Sequence, residues 1–575
     1  MIPLNATSAP LQAFADELVR CGTQHAVTSP GSRNAPLIIA LAEAEGLTTH
    51  SVLDERSAGF VALGMAKASK RPVVVTCTSG TAAANLLPAV VEAHEARVPL
   101  MVLTADRPPE LRDTGAGQAI DQLKLYGGAV KWFVEVGNHQ PSRATAIHHR
   151  ALACRARATA AGGRPGPVHL NFPLREPLSP VREELDPADW EGRPDGRAWI
   201  AVHESSRGAG VEVLEELAGL IASAPRGALV CGGGADPVHE AVPRLAAAAG
   251  WPILADPLSG LRCGPHDRSH VVAHYDVLLR DERFTRHNDP KLVVRMGDTP
   301  TSKPLRAWLS HARQVVIDPH ALWHEPTRAA ETMVVADPLS TCDALAALLE
   351  GGRAQADLNW LASWREADAL VAPVLDAGPD PFEPKAYAAL AKCLPDGALV
   401  WVSSSMPVRD VEAFFPQREG AIRFLANRGA NGIDGVPSSA LGAALATAGP
   451  AYLLTGELAL LHDMGGLMAA RQAGDPLTIL CVNNGGGGIF DFLPLAEHAD
   501  PQIFEEHIAT PAGIDLAKVA AMLELPHSLA TTSEEVREAV ERGGLVEVRT
   551  ERARNVGLHR DVYAGVSKAL RAAGL

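Results

Sequence analysis

Apolar residues along this chain follow two periods. Short, nearly continuous apolar runs end in glycine or a polar cluster, the mark of buried strands. Between them apolar residues return at helical spacing. Leu11, Phe14, Leu18 and Val19 set a first helix, which Gly22 can end. Strands are then expected at His25–Thr28, Ser51–Leu53, Pro72–Cys77, Pro99–Thr104 and Val168–Phe172, with helices opening near Asn34, after Asp54-Glu55-Arg56 and after Thr78-Ser79-Gly80-Thr81. A second series of strands falls near Ala228–Cys231, Pro252–Ala255, Leu292–Arg295, Gln314–Ile317 and Met333–Val335. A third falls at Ala398–Val402, Ile422–Leu425, Ala451–Leu454, Thr478–Val482 and Leu545–Arg549. Glu176 to about Gly210, and Ala377 to Pro384, are rich in proline, glycine and charge and read as linkers. The repeated strand–helix alternation predicts an α/β fold of three doubly wound parallel-sheet domains, at residues 1–185, 200–350 and 380–575.

Composition narrows the class without naming a chemistry. At 575 residues the chain is too long for one core. A hydrophobic share of 47% with 21% charged residues is ordinary for a globular protein. The net charge of −15 argues against nucleic acid as a partner, because phosphate backbones need a basic footprint. Eight cysteines form no CxxC pair and several sit in apolar runs, so free thiols in a reducing, cytoplasmic compartment are expected. Met1-Ile2-Pro3-Leu4-Asn5 lacks the basic start of a signal peptide. The most apolar region, Leu441 to Leu461, is broken by Gly449-Pro450, Thr455 and Glu457, so no membrane span is expected.

Two strand ends carry the first candidate chemistry: Leu453-Leu454-Thr455-Gly456-Glu457-Leu458-Ala459, and Cys481-Val482-Asn483-Asn484-Gly485-Gly486-Gly487-Gly488-Ile489-Phe490. Asn484 lies 484 − 457 = 27 residues after Glu457, with a helical segment (Leu461 to Arg471) between. A strand–helix–strand unit brings both loops to one edge of a parallel sheet. A carboxylate, an amide oxygen and a backbone carbonyl are hard ligands that suit Mg²⁺ and diphosphate oxygens. The glycines let the backbone approach a phosphate. A plain glycine-rich turn is the alternative for either half alone. The turn Cys231-Gly232-Gly233-Gly234-Ala235-Asp236 is open to the same two readings, a nucleotide-binding turn or a simple strand–helix connection.

The paired motif resembles the diphosphate–magnesium signature of thiamine-diphosphate enzymes, with Glu457 where that family carries aspartate. The resemblance implies thiamine diphosphate with Mg²⁺ (or Mn²⁺), held by Glu457, Asn484 and Gly486 as metal ligands and by Gly456, Leu458, Ile489 and Phe490. It implies Glu55, after the second N-terminal strand, as the acid beside the cofactor's aminopyrimidine ring. It also implies a homodimer or dimer of dimers, with active sites at subunit interfaces.

Further stretches resemble one branch, the 2-succinyl-5-enolpyruvyl-6-hydroxy-3-cyclohexene-1-carboxylate synthases of menaquinone biosynthesis. They are Ser29-Pro30-Gly31-Ser32-Arg33-Asn34, Asp54-Glu55-Arg56-Ser57-Ala58, Thr104-Ala105-Asp106-Arg107-Pro108-Pro109, Gly117-Gln118-Ala119-Ile120, Ser405-Met406-Pro407-Val408-Arg409-Asp410, Asn427-Arg428-Gly429-Ala430-Asn431-Gly432-Ile433-Asp434-Gly435 and Ile489-Phe490-Asp491-Phe492-Leu493-Pro494. The branch joins two dicarboxylates, 2-oxoglutarate and isochorismate, with loss of CO₂, and arginine suits carboxylates through bidentate pairing. By resemblance, Arg409, Arg428 and Ser405 hold the succinyl carboxylate. Ser32, Arg33, Arg107, Gln118 and Lys303 hold isochorismate. Ile433 braces the cofactor, Gln118 and Ser405 also touch it, and Phe490 and Leu493 wall the pocket. Gly117 stands where many members have asparagine, and Pro304 follows Lys303 where some carry a second base. Another 2-oxoacid decarboxylase or acetohydroxyacid synthase-like enzyme, and a catalytically silent oligomer, are the alternatives.

Overall fold

The computed structural model describes residues 5–179, 181, 183–234, 240–351 and 354–575. It contains three six-stranded parallel sheets. The first is built from β1 (His25–Thr28), β2 (Thr48–Ser51), β3 (Val73–Cys77), β4 (Leu100–Asp106), β5 (Trp132–Glu135) and β6 (Val168–Pro173) in the order β2-β1-β3-β4-β6-β5. The second holds β7 (Gly227–Cys231), β8 (Ile253–Ala255), β9 (Val271–Val272), β10 (Leu292–Met296), β11 (Gln314–Ile317) and β12 (Ala330–Val334) in the order β12-β11-β10-β7-β8-β9. The third holds β13 (Ala398–Val402), β14 (Ile422–Leu425), β15 (Ala451–Gly456), β16 (Leu477–Asn483), β17 (His527–Ala530) and β18 (Leu545–Arg549) in the order β14-β13-β15-β16-β18-β17. Counted within each sheet, the first and third share the order 2-1-3-4-6-5. The second has the 3-2-1-4-5-6 order of dinucleotide-binding folds.

The central strands were legible in the sequence, as were the edge strands β12 and β14, the latter at its observed bounds Ile422–Leu425; three other edge strands were not. β5, β9 and β17 are short or half-exposed, so their apolar signal is weak. β2 reads Thr-Thr-His-Ser and lies at Thr48–Ser51, whereas the apolar pair Val52-Leu53 suggested Ser51–Leu53. Part of the turn after β7 (Ala235 and Asp236) lies outside the described residues.

The chain divides into two compact units. One comprises Met1–Glu204, Asn427–Ala451 and Ala459–Leu477; the other comprises Ser205–Ala426, Tyr452–Leu458 and Thr478–Leu575. The first unit therefore holds, besides the first sheet, the helices Val436–Leu445 and Met464–Gln472 that follow strands of the third.

In the first unit the helix Glu55–Ser69 begins because the Asp54 carboxylate accepts from the N–H groups of Arg56 (2.8 Å) and Ser57 (3.2 Å). Its small residues admit the helix Val436–Leu445 at very close range. A Cβ on Gly64 would lie 1.9 Å from the Ser439 carbonyl oxygen, and one on Gly442 would lie 1.9 Å from that of Val61. Each helix thus needs a glycine opposite the other's backbone. Asp463 secures the pair from the side, accepting from the Ser57 hydroxyl (3.1 Å) and the Ser438 N–H (2.8 Å).

The stretch after Glu176, expected as a linker, is strapped to the first unit as far as Glu204. Trp190 is buried and its carbonyl accepts from Arg150 (2.7 Å). The Trp199 N–H donates to the fully buried Glu17, which also pairs with Arg150 (2.9 Å). Cys21 and Cys154 lie beside Glu17 with sulfurs 3.5 Å apart, the one grouping among the described residues with metal-ligand spacing. Arg150, the Cys154 thiol and the Trp199 N–H already occupy that carboxylate, so the cluster is an internal anchor for the strap. In the second unit, Phe382 is buried inside the stretch expected as a second linker and leads into the helix Glu383–Ala389.

Candidate active site

In the first unit most functional candidates follow strand ends of the first sheet, which is parallel, so these gather at a single edge. β1 ends in Ser29–Arg33, β2 in Asp54-Glu55, β3 in Thr78–Gly80 and β4 in Asp106-Arg107. Glu55 opens its helix, half-buried, and its charge helps burial push the Cys77 thiol at the end of β3 upward. Arg107 donates to the Ser79 hydroxyl (2.6 Å), which donates to the Gln118 carbonyl (2.9 Å), and the Gln118 amide returns to the Ser79 carbonyl (3.0 Å). Arg33 is buried, donates to the Leu174 carbonyl (2.8 Å) and pairs with Glu176 (3.3 Å). Burial and the nearby Arg107 guanidinium lower its pKa. Two cations held this close, one of them buried, form a site that an anion would stabilise. Ser32 is exposed beside them.

The loop Asn427–Gly435 also belongs to this unit and carries Arg428 and Ile433. Glu92, nearly fully buried, clamps it by accepting from the N–H groups of Gly429 (2.9 Å) and Ala430 (2.6 Å).

In the second unit β15 and β16 are neighbours, so Gly456-Glu457-Leu458 and Asn484–Gly486 share one edge. Glu457 is buried and accepts from the Gly486 N–H (2.5 Å). Burial raises its pKa, and the backbone amides of Glu457, Gly486 and Asn484 pull the other way. The Asn484 amide nitrogen donates to Glu383 (3.1 Å), while its oxygen is buried without a hydrogen-bond partner among the described residues. An acceptor left bare beside a buried carboxylate is the donor set that a hard cation completes.

The glycine loop is braced from behind. The Gly487 N–H donates to the Ala509 carbonyl (2.7 Å), and a Cβ on Gly486 would lie 2.7 Å from that carbonyl. Ala509 ends a π-helical turn, Glu505–Ala509, a form that often marks functional sites. Ile489 and Phe490 lie in the short helix Gly488–Phe492, with Leu493 directly after it.

The end of β13 supplies Ser405 and Arg409 to this same sheet. Ser405 has φ 75°, and its carbonyl accepts from the Arg409 guanidinium. Gln118 in the first unit has φ 59°. Left-handed backbone at two non-glycine candidates is the kind of local strain that folds retain at functional positions. Lys303 opens the helix Lys303–Leu309 after β10, exposed, on the second sheet rather than the third.

Four participants escaped the sequence reading. Ser79 lay inside a turn noted only as a helix start. Glu92 sits mid-helix with no motif. Glu383 fell in a presumed linker. Arg552 opens the last helix and places a buried guanidinium nitrogen near Gly486.

Comparison with known proteins bears on both edges. Residues 11–125 match the "Thiamine pyrophosphate enzyme, N-terminal TPP binding domain" family and residues 410–548 match the "Thiamine pyrophosphate enzyme, C-terminal TPP binding domain" family. Relatives called 2-succinyl-5-enolpyruvyl-6-hydroxy-3-cyclohexene-1-carboxylate synthase align over nearly the whole chain. The Geobacillus thermodenitrificans protein is 45% identical over 98% of this chain and 97% of its own length. The Chloroflexus aurantiacus protein is 44% identical over 98% and 97%, and the Myxococcus xanthus protein 41% identical over 97% of each.

Proposed function

The chain belongs to the 2-succinyl-5-enolpyruvyl-6-hydroxy-3-cyclohexene-1-carboxylate synthase family of thiamine-diphosphate enzymes, and on that premise we propose that it decarboxylates 2-oxoglutarate and adds the resulting carbanion equivalent, in a 1,4 sense, to isochorismate in menaquinone biosynthesis. The observation that carries this reading is the placement of separate arginines at equivalent strand ends of two sheets, beside Glu55 in one and Glu457 in the other. A simple 2-oxoacid decarboxylase has no use for the second set of cations.

Thiamine diphosphate, when bound, supplies the nucleophilic carbon and the electron sink. Glu55 exchanges a proton with its pyrimidine ring. Glu457, the Asn484 oxygen and the Gly486 carbonyl hold Mg²⁺ or Mn²⁺, a role that the bare buried oxygen of Asn484 supports. Gly456, Leu458, Ile489 and Phe490 admit the diphosphate arm, and Ile433, Gln118 and Ser405 touch the cofactor. Arg409, Arg428 and Ser405 hold the succinyl carboxylate; Ser32, Arg33, Arg107, Gln118 and Lys303 hold isochorismate; Phe490 and Leu493 close the pocket. In this reading residues 1–185 form the pyrimidine-binding domain, 200–350 a central domain and 380–575 the diphosphate domain. Two copies assemble each site, as a homodimer or dimer of dimers. All eight cysteines are free thiols, which fits a cytoplasmic enzyme. Among the described residues no helix is long and apolar enough to cross a membrane.

The test is a mass-resolved assay with both substrates, thiamine diphosphate and Mg²⁺. A coupled adduct that requires both substrates supports the proposal. Decarboxylation of 2-oxoglutarate without coupling moves the chain to a simpler 2-oxoacid decarboxylase. No turnover with Mg²⁺ or Mn²⁺ overturns it.

A further inference from the structure

An asparagine ligates a cation through one end of an amide whose two ends are nearly the same shape. Something must decide which end faces the cation. In this molecule the Asn484 nitrogen donates to Oε1 of Glu383 (3.1 Å), and the same oxygen accepts from the Thr550 hydroxyl (2.9 Å). Glu383 is 1% exposed. A carboxylate oxygen that accepts from two donors offers the amide no proton, so only the nitrogen end of Asn484 can face it. The oxygen end is thereby turned away, and it is this atom that is buried and bare.

The amide is also confined from a second side. A Cβ on Gly488 would lie 2.6 Å from the Asn484 nitrogen, so the missing side chain leaves the space that this nitrogen fills. Glu383 is itself fixed: it opens the helix Glu383–Ala389, and the Thr550 N–H bonds the Asn483 carbonyl at the end of β16 (3.0 Å). The loop that carries Asn484 and the acid that orients it are therefore tied to one strand end.

We infer that Glu383 is a positioning residue for the cation, one that acts through Asn484 by locking its amide with the oxygen turned outward. The inference rests on the proposed cation site at Glu457 and Asn484 and adds a residue outside the glycine loop. Partners that orient a metal ligand in this way typically change metal affinity by about 10- to 100-fold.

The test is binding rather than turnover: Mn²⁺ titrated into the full chain with thiamine diphosphate, followed by calorimetry and by the paramagnetic resonance of bound Mn²⁺. Wild-type binding first establishes the site. If wild type binds no cation with the cofactor, the underlying reading fails. Glu383→Gln keeps shape but can accept from or donate to the amide, and is expected to weaken Mn²⁺ binding about tenfold or more. The swap E383Q/N484D restores a fixed arrangement, with the new amide donating to the new carboxylate, and is expected to regain most of the loss. Asn484→Asp alone sets two carboxylates side by side and is expected to bind more weakly than the swap. Wild-type affinity in Glu383→Gln, or Asn484→Asp alone matching the swap, overturns the inference, because charge and not orientation would then govern binding. Thermal unfolding of each variant identifies any that fails to fold, and the swap, which retains a donor–acceptor pair at this position, still decides the question.

Discussion

The helix after the second strand of the first sheet, Glu55–Ser69, and the helix after the second strand of the third, Val436–Leu445, hold the same place in two sheets of one strand order. They are also the two helices that meet, and they meet reciprocally. Gly64 faces the carbonyl of Ser439 and Gly442 faces that of Val61, three residues before the glycine in each case. The equivalence continues along the edges. The third strand ends in Ser79-Gly80-Thr81 in one sheet and Thr455-Gly456-Glu457 in the other; the fourth ends in Asp106-Arg107 and in Asn484–Gly486. One winding therefore presents hydroxyls and a guanidinium group at these ends of one sheet, and a buried carboxylate with a bare amide oxygen at those of the other. Winding sets where chemistry can stand, and a few residues past each strand decide what it is.

The largest expected break falls on the acids. Glu55→Gln should lower product formation by about 10³-fold, within the range for loss of an acid–base group, and leave cofactor binding near wild type. Asn484→Ala or removal of the cation by a chelator should do the opposite, abolishing retention of thiamine diphosphate in equilibrium dialysis. If Glu55→Gln also released the cofactor, the division of labour between the two sheets would be wrong.

The arginines sharpen the same division. Arg33→Ala should raise KM for isochorismate by about 10- to 100-fold, and Arg409→Ala should do so for 2-oxoglutarate, since a hydrogen bond to a charged group contributes about 1.5–3 kcal/mol. Steady-state kinetics with each substrate varied in turn reads both. Equal effects of each variant on both substrates would merge the two cation sets into one.

How much of this was legible beforehand follows the same physics. β3, β4, β13 and β16 are buried runs, and their ends could be placed within a residue or two. The pair Glu457 and Asn484 was legible because one strand–helix–strand unit brings sequence neighbours to one edge. Glu92 and Glu383 were not, since each reaches its partner across a long stretch of sequence (Glu92 to Gly429, Glu383 to Asn484) by a contact that only packing creates. The glycine pair was invisible for the same reason: a glycine inside a helix reads as a weak helix former until the opposing backbone is seen.

That glycine pair gives the next effect in size. Gly442→Ala and Gly64→Ala should each destabilise the fold by about 2–3 kcal/mol, as overpacking against immovable backbone does, although alanine is otherwise the better helix former. Urea unfolding measures it. Because the contact is reciprocal, the double variant should cost less than the sum, the first alanine having already pushed the helices apart.

The smallest effect tests a third equivalent pair, the helices that follow the first strand of each sheet. Ala35–Ala42 is apolar throughout, whereas Met406–Phe414 carries Glu412, buried and accepting from the Tyr275 hydroxyl (2.7 Å). Burial, with Asp256 and Asp276 nearby, pushes the Glu412 carboxyl up to about 8 from an ordinary 4.5. The folded chain therefore keeps a proton that the unfolded chain has lost. Its contribution to stability is fully present below the unfolded value and is lost as pH rises toward the folded one. Glu412→Gln keeps an acceptor for Tyr275 and removes the titration. Its stability relative to wild type should rise between pH 5 and pH 8 by roughly 1.4 kcal/mol for each tenfold change in proton affinity that the folded state imposes. Denaturant midpoints at the two pH values measure this, and a difference that does not grow as pH rises would show that Glu412 does not hold the proton in the folded chain.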